Sequence, residues 1–151
     1  MDPAKAYYKA ATICARSEQC ISAIRTRLLK WELEEAEAAK IIKRLVDEKF
    51  IDESRYAGFF VRDKARFNKW GPKKIAWQLR QKGLPEDVIR EAIDSVPWDN
   101  VAEDLEELLR KKLAGLKQDD PYKKKAALVR FAASRGFGFS EIEKVLGKLK
   151  F

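Results

Sequence analysis

The sequence of 151 residues contains no histidine, and this absence removes the commonest general base and the commonest metal ligand of proteins. The two cysteines, Cys14 and Cys20, are too few for a disulfide framework or a structural zinc site, so we expect reduced thiols in the core. No glycine-rich phosphate loop, nucleophile elbow or metal-binding motif is present. The sequence therefore predicts a protein that is not an enzyme and that needs no metal or cofactor.

Long hydrophobic runs and strand patterns are also missing. No apolar run approaches the roughly 18 residues of a membrane-spanning helix, and the period-two alternation of a half-buried strand is absent. The first residues, Met1 to Ala4, lack the basic and apolar regions of a signal peptide. With 46% apolar and 37% charged residues, the composition is that of a folded, charge-rich chain. We expect an all-helical cytoplasmic protein that does not contact a membrane.

The whole chain has a formal net charge of +8, and its positive charge is concentrated in two segments. Between Arg62 and Lys82 there are eight basic residues and one acidic residue, and between Arg110 and Arg135 there are nine and two. Such stripes indicate an anionic partner, either nucleic acid or an acidic protein surface, although solvated helix faces would give the same pattern. The candidate contact residues are Arg62, Arg66, Lys69, Lys73, Lys74, Arg80, Lys123, Lys124, Lys125 and Arg130.

Apolar residues recur in three in-phase blocks, a sign of a repeated supersecondary unit. Within each block, steps of four and three mark one helix face, and a step of five spans a turn. The positions are Ile24, Leu28, Leu33, Ala38, Ile42 and Leu45; Ile75, Leu79, Leu84, Ile89, Ile93 and Val96; Leu128, Ala132, Phe137, Ile142, Leu146 and Leu149. We predict three three-helix repeats over 1–51, 52–98 and 99–151. Nine helices would then form an elongated, slightly curved, solenoid-like monomer.

The predicted turns carry suitable residues. Gly83 and Gly136 stand where a helix ends in a left-handed residue. Pro85 is expected in the first position of the following helix. The first repeat has Glu32 in place of glycine, so we expect its turn to close differently.

Each repeat begins with a longer amphipathic segment, over about 3–15, 53–67 and 101–114. Asp2, Asp52 and Asp99 are the expected N-terminal caps of these segments. In the third repeat, Ser140 and Glu143 have the spacing of a capping box.

The aromatic residues of the middle repeat have two possible roles. Tyr56, Phe59 and Phe60 follow helical spacing and are expected in the core rather than on the surface as stacking platforms. Trp70 precedes Gly71-Pro72, the expected start of the second helix of this repeat. Its indole could anchor an interface or cap the core, and the sequence does not distinguish these roles.

The segment "FIDESRYAGFFVRDKARFNKWGPKKIAWQLRQKGLPEDVIREAI" resembles the signature of the RecX family of bacterial recombination regulators. The similarity extends to "RFAASRGFGFSEIEKVL" in the last repeat, whereas Trp31-Glu32-Leu33 departs from the usual first-repeat turn. The residues that carry the signature are Asp52, Arg55, Tyr56, Ala57, Phe60, Val61, Arg62, Gly71, Pro72, Ile75, Leu79, Arg80, Lys82 and Gly83.

The resemblance implies a three-repeat helical protein that is not an enzyme. It implies binding to the RecA recombinase filament on DNA and restraint of filament growth, ATP hydrolysis and strand exchange. Weak, salt-dependent contact with single-stranded or double-stranded DNA is expected from the charge. The alternative is a stand-alone DNA-binding protein with helix-turn-helix-like units, formed by residues 72–82 and 85–95. Filament capping, groove binding and active disassembly all remain open as mechanisms.

Overall fold

The computed structural model describes all 151 residues and contains nine α-helices and no strand, which confirms the predicted fold class. The helices are α1 (Pro3–Arg16), α2 (Ile21–Lys30), α3 (Glu35–Asp47), α4 (Glu53–Phe67), α5 (Pro72–Gln81), α6 (Glu86–Asp94), α7 (Trp98–Ala114), α8 (Pro121–Ser134) and α9 (Phe139–Leu146). None of them combines the length and apolar character that crossing a membrane requires.

Packing divides the chain into two compact units. Unit 1 comprises Met1–Phe60 and Leu79–Ala92, and unit 2 comprises Val61–Gln78 and Ile93–Phe151. The units follow from packing, whereas the three repeats follow from sequence periodicity, so the repeat boundaries stay a prediction.

The repeating apolar positions form the cores of the two units. Sixteen of the eighteen are buried, and the exceptions, Ile93 and Val96, are half-buried. Cys14 and Cys20 are buried free thiols, as expected from their small number. Since fully burying a large aliphatic side chain stabilises a fold by about 1.5–3 kcal/mol, these positions account for the helical packing.

A single arginine of the family signature fixes the start of α4 within unit 1. The Arg55 guanidinium pairs with Glu18 at 2.6 Å and donates to the carbonyls of Lys49 and Phe50 at 3.1 and 3.4 Å. These bonds join the α1–α2 turn, the α3–α4 turn and α4. The family signature at Arg55 therefore has a structural role in this joint.

The predicted caps are only partly correct. The Asp52 side chain accepts a bond from the Arg55 backbone and caps α4, whereas Asp2 occupies the N-cap position of α1 without a side-chain bond. Asp99 is wrong as a cap, because α7 begins at Trp98. The Ser140–Glu143 capping box is also wrong, because α9 begins at Phe139 with Gly138 as its N-cap, so Ser140 already lies within the helix. A capping box that the sequence analysis missed joins Glu34 and Glu37 in α3.

The three short turns close in the same way. Gly83 and Gly136 have φ values of +82° and +93°, which confirms the left-handed assignment. The expectation of a different first turn is wrong, because Glu32 also adopts a left-handed φ of 65°. Each turn contains one equivalent backbone hydrogen bond. The amides of Leu33, Leu84 and Phe137 donate to the carbonyls of Leu28, Leu79 and Ala132 at 3.3, 3.2 and 3.3 Å. This shared bond compensates for the strain at Glu32.

Pro85, which follows the second of these turns, was assigned to the wrong helix position. Pro85 is the residue before Glu86, the first residue of α6, and its carbonyl accepts from the Ile89 amide at 3.1 Å. Pro85 therefore caps α6 instead of occupying its first position, a shift of one residue.

The two left-handed glycines differ in their surroundings. A Cβ atom on Gly83 would meet nothing within 4 Å, whereas one on Gly136 would lie 2.6 Å from the Lys74 backbone nitrogen. We predict that Gly83→Ala lowers the free energy of unfolding by about 1 kcal/mol, the cost of a left-handed alanine. Gly136→Ala should cost about 2 kcal/mol more, because backbone must also move. Urea unfolding of both variants measures the difference, and equal losses would contradict this account of Gly136.

Candidate interaction surface

The basic residues of α4 lie on its solvent side. Val61 and Ala65 are buried, so Arg62 and Arg66, which are one turn apart, are exposed on the remaining surface of the helix. The one acid in this part of α4, Asp63, lies 3.8 Å from Lys64. The solvent side of α4 is therefore mainly cationic.

The expectation for the aromatic residues of α4 requires correction. Phe59 is 53% exposed, because helical spacing directs it away from the buried Ala57 and Val61. Tyr56 and Phe60 are half-buried and stack on each other with ring centroids 5.9 Å apart. Burial raises the pKa of Tyr56 to about 12, as expected for a phenol that packs in the fold rather than serving as a surface platform.

A contact between two turns organises unit 2. We call it the turn junction. It comprises residues 68–74, which are the α4–α5 turn and the start of α5, and residues 134–138, which are the end of α8 and the α8–α9 turn. The Gly71 amide donates to the Arg135 carbonyl at 2.6 Å, and the Lys73 amide donates to the Gly136 carbonyl at 3.1 Å. A Cβ atom on Gly71 would lie 2.4 Å from the Gly136 oxygen. The backbones can therefore approach this closely only because glycine occupies both positions.

Basic side chains reinforce the turn junction. Arg135 donates to the Asn68 carbonyl at 2.9 Å, and the Lys74 ammonium lies 3.3 Å from the Ser134 carbonyl. The same ammonium lies 4.4 Å from the centroid of the Trp70 ring, and the Lys64 ammonium lies 5.3 Å from it. Trp70 is half-buried and holds these cations, so its contacts support the turn rather than forming a fully exposed anchor.

The remaining candidates near the junction differ in how available their charge is. Lys69 has a left-handed φ of 55° and pairs with Asp104 at 3.0 Å, so its charge is partly compensated. Lys73 is exposed, and its side chain runs along Gly138, where a Cβ atom would lie 3.8 Å from Cε. Of these two cations, Lys73 presents the more available charge.

The structure does not bring the other candidates to the junction. Lys123, Lys124 and Lys125 lie in the first turns of α8, roughly 15 Å along the helix from Ser134 at 1.5 Å per residue. Lys123 and Lys125 are exposed, and Lys124 is half-buried. Arg130 is exposed one turn before the junction.

Arg80 differs from the other candidates, because it lies among the residues of unit 1 and is paired. Its guanidinium donates to both carboxylate oxygens of Glu86, at 2.5 and 3.2 Å. This bidentate bond holds the pKa of Glu86 below its usual value. Arg80 was counted with the basic stripe in the sequence, but its charge is partly neutralised in the structure.

Two exposed aromatic residues beside the basic residues of α4 and α5 were missed as functional candidates. Phe67 is 70% exposed and Trp77 is 54% exposed. Trp77 lies midway between the buried Ile75 and Leu79 in the chain, so it points away from the core. The helical spacing of α5 could have identified Trp77, since an indole opposite the buried face lies on the surface.

Together, these features define an all-helical repeat protein with a cationic surface in unit 2 that also exposes aromatic rings. The chain matches two family models, "RecX, second three-helix domain" over residues 52–93 and "RecX, third three-helix domain" over residues 100–146. It is 32% identical over 148 residues to the regulatory protein RecX of Chlorobium phaeobacteroides (strain BS1), covering 98% of this chain and 95% of the relative. The chain therefore belongs to the RecX family of regulatory proteins.

Other relatives are longer than this chain. The regulatory protein RecX of Clostridium botulinum (strain Eklund 17B / Type B) is 36% identical over 125 residues, which cover 82% of this chain and 58% of the relative. A crystal structure of regulatory protein RecX superposes with a TM-score of 0.88 at 25% identity, covering 96% of this chain and 71% of that one. RecX from Lactobacillus salivarius, with a TM-score of 0.86 at 21% identity and coverage of 97% and 96%, has the same fold.

The Lys69–Asp104 pair predicts a measurable effect on anion binding. Asp104→Asn should free the Lys69 charge and raise the salt concentration at which the protein elutes from a heparin column. Stability should change by less than about 1 kcal/mol, because both side chains are about a third exposed. Glu107→Gln is the matched control, since it removes the same charge from an exposed pair with Lys111. An equal shift in both variants would show that only net charge matters.

Proposed function

We propose that this chain binds the RecA recombinase filament on DNA and restrains filament growth, ATP hydrolysis and strand exchange. Membership in a family of regulatory proteins supports a regulatory role. The observation that carries the proposal is the turn junction, which unites cations from the segments around Lys73 and Arg135 in one unit. No acidic residue occurs between Lys64 and Pro85 to neutralise them.

The proposed binding is electrostatic in its first step. Exposed cations such as Arg66 and Lys73 would steer the protein toward an anionic filament, and the association rate would fall with added salt. A filament presents the same subunit repeatedly, so several weak contacts could act together. Restraint would then follow from occupancy of filament subunits, without chemistry by the regulator itself.

The acidic character of α6 argues against the alternative of a stand-alone helix-turn-helix protein. In such a unit, α6 would be the second helix and would enter the major groove. Its four acids are exposed, namely Glu86, Asp87, Glu91 and Asp94. A helix with this charge is repelled by the DNA backbone. The basic residues instead lie on α4 and α5, which favours contact with an extended anionic partner.

Neutralising cations of unit 2 tests the proposal. The variant Arg66→Gln, Lys73→Gln, Arg130→Gln should keep its fold, because exposed charges contribute little to stability. Three lost ion pairs of about 0.2–1 kcal/mol each should weaken filament binding about tenfold. The salt dependence of binding and the inhibition of RecA ATP hydrolysis should decrease together. Co-sedimentation with RecA filaments on DNA, over a series of salt concentrations, measures the binding.

A matched variant separates a local surface from net charge. Arg27→Gln, Lys30→Gln, Lys40→Gln removes the same charge from exposed positions of α2 and α3 in unit 1. This control should bind and inhibit nearly as the unmodified chain does. If both variants lose filament binding equally, or if the unit 2 variant inhibits normally at every salt concentration, the proposed surface is wrong.

A further inference from the structure

No hydrogen bond or ring contact ties the Trp77 side chain to the rest of the fold. It lies near the centre of the exposed face of α5, opposite Ile75 and Leu79, and 54% of its surface is accessible. Tryptophan is among the residues most enriched at the energetic centres of binding interfaces. Lys73 lies one turn earlier on the same side of the helix and is also exposed. Trp77 and Lys73 are therefore a first pair of neighbouring exposed residues, one ring and one cation, on α5.

A second pair of the same kind stands at the end of α4. Phe67 is 70% exposed, and the Arg66 guanidinium carbon lies 5.2 Å from the centroid of its ring. Since most of the phenyl surface is accessible, the ring can still accept a planar partner. Both pairs belong to unit 2, and both contain a cation with which no carboxylate forms a salt bridge.

The surroundings of these rings favour nucleic acid over an apolar protein pocket as the partner. An aromatic anchor in a protein interface typically fills a desolvated pocket at a core that is depleted of charged residues such as lysine. Here the neighbours are Arg66 and Lys73, and the segment from Lys64 to Pro85 contains no acid. Cations interleaved with exposed rings match a polyanion whose bases offer flat π surfaces. In a duplex those surfaces are already stacked on each other, whereas in a single strand they are available.

We infer that Trp77 and Phe67 are stacking residues for unpaired bases, with Lys73 and Arg66 bound to the adjacent phosphates. This inference rests on the proposed function and deepens it, since it assigns the bases of a single strand to two particular rings of unit 2. The chain then prefers a single strand to a duplex of equal charge. The preference is tolerant of sequence, because every base has a face that can stack.

Fluorescence anisotropy with labelled 30-nucleotide probes tests the inference at one fixed salt concentration. The probes are oligothymidylate, an abasic strand with the same phosphates, and a duplex. The unmodified chain should bind oligothymidylate most tightly. Trp77→Ala and Phe67→Ala should each weaken that binding about tenfold, as expected for a lost stacking contact. Binding to the abasic strand and the salt dependence of binding should stay unchanged.

Two further variants serve as controls. Tyr8→Ala removes a ring that is 68% exposed in unit 1 and should leave binding to oligothymidylate unchanged. Trp77→Phe keeps a ring and should restore most of the affinity that Trp77→Ala loses. Circular dichroism shows whether a variant fails to fold. If Trp77→Ala does not fold, Trp77→Phe decides the question, and the stacking role predicts that its affinity for oligothymidylate falls by less than about twofold.

The outcomes also separate this inference from the proposed function. Equal binding of oligothymidylate and abasic strand by the unmodified chain overturns the stacking role. An equal loss of affinity for oligothymidylate and for the abasic strand in Trp77→Ala overturns the stacking role as well. If Trp77→Ala keeps its affinity for oligothymidylate but no longer co-sediments with RecA filaments, Trp77 is a protein anchor. In that case the inference fails while the proposed function stands.

Discussion

The close approach of Gly71 and Gly136 is the constraint on which the arrangement of unit 2 depends. Two backbone segments more than sixty residues apart meet with hydrogen bonds of 2.6 and 3.1 Å, and a methyl group at either position would collide with backbone. Gly136 adopts a left-handed φ of +93°, and its carbonyl accepts the bond from the Lys73 amide. A larger residue would separate the α4–α5 turn from the α8–α9 turn and displace the cations that both turns carry.

The two faces of α4 and α5 differ in composition, so one segment can pack in the fold and also supply the proposed binding surface. One face of each helix is buried, with Val61 on α4 and Ile75 and Leu79 on α5. The other face places arginine, lysine and aromatic side chains in solvent. Exposed charge adds little to stability, so the composition of the outer face is free to follow binding. Family membership is consistent with this division, because the family model spans both helices.

Helical periodicity made much of the fold predictable, since a buried face must repeat every three or four residues. The apolar blocks predicted nine helices and most of the core, and Gly83 and Gly136 identified two turns. Helix starts were less predictable, as Asp99 and Ser140 show, because several polar residues can serve as caps. The left-handed Glu32 could not be predicted, because the shared turn bond overrides its local preference.

The candidate surface was less predictable, because contacts between distant turns leave no periodic signal. Basic residues of the two segments could be named, but not which of them lie at the junction or pair with Asp104 and Glu86. Amide hydrogen exchange of the chain bound to RecA filaments on DNA tests the central claim most directly. The account predicts new protection in residues 62–78 and 130–138, and little change in residues 21–47. Protection confined to residues 21–47 would contradict it.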